Sequence, residues 1–119
     1  MNSRIILLII GLLFSFSALA DTPPKKTPAL LEKGKTVFIS TCVTCHGVKG
    51  DGMGDAGQYM SPKPRNLKTG KFKQGETVSD VFNTITKGID GTAMVGFPLL
   101  SEEDRWATAY YVLTFKEKK

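Results

Sequence analysis

The stretch TCVTCHG at 41–47 holds the chain's two cysteines, Cys42 and Cys45, and its single histidine, His46. Gathering every thiol and imidazole of the chain into five positions restricts the fold more than any other feature. Three uses of the spacing compete. A structural zinc site needs four ligands, commonly two pairs, so here at least one would be a carboxylate. A redox CxxC disulfide needs only the cysteines but normally belongs to a strand-containing thioredoxin-like unit. The third use is covalent attachment of haem.

Chemistry favours the third. Cysteines three apart on one helical turn point the same way, so both sulfurs reach the vinyl groups of one haem edge. The next residue, His46, is then aimed at the iron as the proximal ligand. Its other ring N–H needs an acceptor to fix the tautomer, and a backbone carbonyl near Pro62 or Pro64 is the candidate.

Around this segment the chain lacks the pattern of a self-sufficient core. Residues 1–20, MNSRIILLIIGLLFSFSALA, have one charge, an apolar run, and Ala18 and Ala20 spaced as a cleavage site. That is the layout of a secretory signal peptide, too short and too broken by Gly11, Ser15 and Ser17 for a spanning helix. Export to the periplasm with cleavage after Ala20 is expected, without lipid anchoring, since no cysteine follows the cut. Cleavage lowers the formal net charge of +5 by one, because Arg4 is the only charged residue removed. Residues 21–28, DTPPKKTP, read as a disordered lead-in. What remains, 29–119, is one small domain of a size that usually needs a disulfide, metal or cofactor for comfortable stability.

Three helices are expected there. Pro28–Thr41 has Leu30, Gly34, Val37 and Phe38 at helical spacing, and Gly34 inside it implies close approach of another element. Thr77–Lys87 has an apolar face, a Thr77/Asp80 capping box and Gly88 as its stop. Ser101 caps a last helix, with acidic residues in its first turn and Trp106, Ala109, Tyr110 and Leu113 as its apolar face. No segment alternates over a strand length, so the fold class is all-α. Residues 47–75 are rich in glycine, proline and lysine, a loop too long for a small domain unless it wraps something.

With His46 on one axial position and no second histidine, the other is open or taken by methionine, lysine or a backbone group. The methionines after the leader are Met53, Met60 and Met94. Met53 follows the haem motif too closely to cross to the other face; Met60 stays open on spacing alone. Met94, in GIDGTAMVGFP between two helices, is the leading candidate: a thioether is what His-ligated electron carriers use, and Gly91 and Gly96 let backbone approach a flat ligand.

These residues resemble a class I c-type cytochrome of the small bacterial single-haem kind. Gly34, Phe38, Cys42, Cys45 and His46 are similar to that family's glycine and aromatic ahead of CxxCH. CHGVKGDG resembles its following loop, and GTAMVGFPLLSEEDRWATAYYV its methionine loop and final helix, with Val95 where proline is frequent. The resemblance implies three to five helices and long loops around one covalent haem c, His46 and Met94 as axial ligands, and Tyr110 or Trp106 against the first helix. It also implies a propionate contact from Arg65, with core packing for Trp106. The implied function is periplasmic single-haem electron transfer, not an enzyme with its own small-molecule substrate. An open distal site, serving a ligand sensor or a subunit of a larger oxidoreductase, is the alternative. The scattered lysines, Lys35 and Lys49 among them, suit acidic docking surfaces on redox partners met as a monomer in transient complexes; without interleaved aromatics they do not suit nucleic acid.

Overall fold

A computed structural model of the chain describes residues 22–117, so the expected signal peptide lies outside the described residues. Among the described residues four α-helices follow one another: α1 (Pro28–Thr41), α2 (Val43–His46), α3 (Val78–Lys87) and α4 (Glu102–Glu117), with a 3₁₀ turn at Gly57–Tyr59. Among the described residues there is no strand, only one isolated antiparallel bridge between Gly88 and Val95. The protein is all-α.

Local chemistry sets the helix ends. The Thr27 hydroxyl accepts the Leu30 N–H at 3.1 Å and Pro28 occupies the first turn, where a missing N–H costs nothing. Thr77 and Asp80 form the reciprocal capping box of α3, at 3.1 and 3.0 Å, and Gly88 terminates it. The Ser101 hydroxyl accepts the Asp104 N–H at 3.0 Å, and Glu102, Glu103 and Asp104 face the positive end of the α4 dipole.

α4 packs against both α1 and α3. A Cβ on Gly34 would collide with the Ala107 carbonyl and press on Tyr111 Cβ at 2.9 Å, so glycine is what allows α1 and α4 to touch backbone to backbone. Phe38, fully buried, fills the space beyond the crossing, 5.4 Å from the Tyr111 ring and 5.2 Å from the Phe115 ring. The aromatic on α4 at this crossing is thus Tyr111, not Tyr110 or Trp106. Trp106 instead stacks on Phe82 of α3 at 3.8 Å, and its N–H donates to Glu102 at 3.3 Å. Packing between two helices buries Trp106, Ala107, Thr108, Ala109, Val112 and Phe115, a broader surface than one apolar stripe.

Tyr110 faces the start of the chain: its hydroxyl donates to the Pro24 carbonyl at 2.7 Å. Residues 22–27, expected as a disordered lead-in, have no regular secondary structure, yet they are pinned to α4 at this point.

Candidate haem site

The attachment segment is one helical turn. α1 ends as the Cys42 N–H donates to the Phe38 carbonyl, and α2 begins at once, the Cys42 carbonyl accepting the His46 N–H at 2.9 Å. Cys42 and Cys45 are both half-buried free thiols. Burial, and secondarily the neighbouring Cys45, pushes the Cys42 thiol up to about 11.

His46 is half-buried and held below the ordinary histidine range by burial, against a hydrogen bond that pulls the other way. That bond joins its Nδ1 to the Arg65 carbonyl at a long 3.4 Å. A carbonyl only accepts, so Nδ1 carries the hydrogen and Nε2 keeps its lone pair for a metal. The acceptor is the residue after Pro64, in the segment where the sequence suggested one.

The glycine-rich loop is explained by the same turn. Ending a four-residue helix leaves carbonyls unpaired. Ala56, Gly54 and Gly52 N–H groups donate to the carbonyls of Thr44, Cys45 and His46 at 2.9, 3.2 and 2.8 Å. A Cβ at Gly54 would strike the Val43 and Thr44 carbonyls, and one at Gly57 the Cys45 carbonyl. What the loop wraps is therefore the back of the attachment turn.

In front of that turn lies a cavity of about 440 Å³. Phe38 from α1, Val81 and Ile85 from α3, Val112 from α4, and Leu67 and Phe97 from the loops give it apolar walls. Cys42, Cys45 and His46 line it as well. Its volume is within the roughly 300–1,000 Å³ of pockets that enclose organic cofactors and ligands. An apolar chamber with two thiols and an imidazole presented from one turn fits a tethered haem: sulfurs for its edge, nitrogen for its iron, hydrocarbon for its faces. Among the described residues no three of His, Cys, Asp and Glu are grouped to hold a metal ion in another way.

Met94 and Met60 both line the cavity, whereas Met53 does not and stands half exposed. Met94 sits in a hairpin-like loop closed by the Gly88–Val95 bridge. Its carbonyl accepts the Ile89 N–H at 2.9 Å and its N–H donates to the Thr92 hydroxyl at 3.2 Å. Gly96 packs on the Thr86 carbonyl at the end of α3, and a Cβ at Gly91 would meet nothing within 4 Å. Arg65 is exposed and also lines the cavity, its stem lying across Gly70. Sequence reasoning missed Lys63 and Lys73, which line the same cavity, and the fully buried Thr108, whose hydroxyl donates to the Asp104 carbonyl at 2.7 Å. No spacing rule ties these residues to Cys42; only the chain path does.

Residues 31–116 match the family described as Cytochrome c. The chain belongs to the cytochrome c family. It is 33% identical over 97 residues to the cbb3-type cytochrome c oxidase subunit FixP of Azorhizobium caulinodans, covering 82% of this chain and 31% of that one. It is 31% identical over 87 residues to the thiosulfate dehydrogenase of Allochromatium vinosum, covering 68% of this chain and 30% of that protein. A solved structure of the reducing HAO-like protein complex of Kuenenia stuttgartiensis superposes with a TM-score of 0.73 at 33% identity, covering 80% of this chain and 47% of that one. This cytochrome thus spans about a third of the length of the curated relatives it matches. Membership makes the cofactor covalently bound haem c, with Cys42 and Cys45 in the CxxCH attachment pattern. Electron transfer is the function such a domain carries.

Proposed function

We propose that this cytochrome is a periplasmic, single-haem electron carrier whose axial ligands are His46 and Met94, passing one electron at a time between redox partner proteins. The observation that carries the reading is the convergence of Cys42, Cys45, His46 and Met94 on one apolar cavity from elements far apart in sequence. When bound, the haem supplies a one-electron ferric–ferrous couple. The chain's own residues do the rest. Arg65 holds His46 in the tautomer that offers Nε2. The closed 88–95 hairpin fixes Met94 through backbone bonds, so its thioether need not move between oxidation states. Phe38, Ile85 and Val112 keep water from the faces, which lowers the solvent reorganisation accompanying each transfer.

Export rests on the leader-like residues 1–20, and docking on acidic partners rests on the basic surface, which should make association weaken with salt. A second reading has one observation in its favour. The relatives include subunits of cbb3-type oxidases, so this domain serves equally well as the electron-relay subunit of a larger assembly.

The ligand assignment is tested by the weak far-red sulfur-to-iron band of the ferric protein. Met94→Ala is expected to abolish it and Met60→Ala to preserve it. Survival of the band in Met94→Ala with loss in Met60→Ala would transfer the axial role to Met60.

A further inference from the structure

The charged side chains around the cavity are all of one sign. Lys63, Arg65 and Lys73 line it, and no aspartate or glutamate does. All three are exposed, and among the described residues none has a carboxylate partner; the ion pairs there use Lys116 with Glu76 and Lys33 with Glu103 and Asp104. An apolar chamber with cations confined to its rim is complementary to an amphipathic anion, hydrocarbon inward and carboxylates outward.

The backbone beneath these cations is fixed. Lys63 stands between Pro62 and Pro64, whose rings lock their own φ and restrict the residue before each. The Arg65 carbonyl is tied to His46. Lys73 lies between Phe72, whose N–H donates to Glu76 at 3.0 Å, and Gln74, whose side chain donates to the Gly88 carbonyl at 3.0 Å. Lys68 and Lys71 belong to the same segment and are equally exposed, yet they do not line the cavity. Lys35 and Lys49 do not line it either.

We infer that Lys63 and Lys73, with Arg65, form a cationic clamp for the two haem propionates, and that this clamp raises the reduction potential and keeps the propionates ionised. The inference rests on the haem reading above and adds to it the division of the basic surface into cofactor-facing and partner-facing parts. Its sign follows from charge: the ferric centre has one positive charge more than the ferrous, so fixed cations beside it favour reduction and ionised propionates oppose it. Removing the lysines should lower the midpoint potential. It should also raise the propionate pKa, bringing a pH-dependent slope of the potential towards neutral pH.

The test is a spectroscopic redox titration of the haem-loaded protein across pH, comparing Lys63→Gln/Lys73→Gln with Lys68→Gln/Lys71→Gln and with Lys63→Arg/Lys73→Arg. The expected result is a potential lowered, and made more pH-dependent, in the first variant alone, with the arginine pair near wild type. Equal potentials in all four proteins, or an equal fall in the Lys68/Lys71 control, would overturn the clamp. Covalent haem and the far-red sulfur band are read on the same samples. Absence of haem from the wild type overturns the clamp together with the haem reading. Haem without the band removes only the Met94 assignment and leaves the clamp to be judged by the potentials.

Discussion

The α1–α4 crossing and the chain from Gly47 to Gly75 lie on either side of the attachment turn and are held together by opposite means. At the crossing, side chains do the work: Gly34 admits the Ala107 backbone, and Phe38, Tyr111 and Phe115 close over it with ring centroids 5.2–5.4 Å apart. Along 47–75 only Leu67 among the apolar side chains is buried, and backbone bonds such as Gly52 N–H to His46 carbonyl carry the structure. The crossing is a protein core in the ordinary sense. The loop half packs its first part on the backbone of the attachment turn and turns Met60, Leu67 and Phe72 of its second part to the cavity.

Replacing Cys42 and Cys45 together by alanine separates the two regions most strongly. The expected outcome by hydrogen exchange is loss of protection across residues 47–75 and 88–97, with the α1–α4 crossing the last to open. Equal loss in both would contradict the division. Gly34→Leu attacks the other side. Forcing a side chain against the Ala107 carbonyl should cost at least the roughly 1–3 kcal/mol of an overpacked core, read as a lower denaturant midpoint, while the spectrum of the molecules that remain folded is unchanged. Thr77→Ala is the mildest probe, removing one cap from α3 for about 1 kcal/mol without touching the cavity.

The same cap gives a pH dependence. Hydrogen bonds from Thr77, side chain first and backbone second, hold the Asp80 carboxyl below the usual aspartate range. A depressed carboxyl contributes stability that is present above its unfolded pKa of about 3.9 and is lost as pH falls through the lower folded value. The stability difference between Thr77→Ala and the native chain should therefore narrow in acid below about pH 4, measured by denaturant titration at several pH values.

Legibility in the sequence follows the same division. The three long helices, the caps of α3 and α4 and the close approach at Gly34 depend on neighbours within a few residues and are readable from spacing, whereas the Thr27 cap of α1 came from the structure. The aromatic partner on α4 is not separable by spacing because that helix is buried on two sides: Trp106 and Tyr111 face different neighbours, and apolar periodicity does not distinguish them. CxxCH gave the attachment turn, and PKPRNL contained the His46 acceptor, one residue past the prolines. The cation rim depended on where the 60–74 segment passes the cavity, which no local pattern encodes. The glycines were legible as close-approach positions but not as to what approaches: Gly54 and Gly57 meet the backbone of the attachment turn, and Gly96 meets α3.

The most direct measurement is the absorption spectrum of the reduced, haem-loaded protein before and after carbon monoxide is added. With Met94 closing the second axial position the spectrum should stay unchanged. An immediate shift on mixing would mean an open or easily vacated site and would contradict the electron-carrier account.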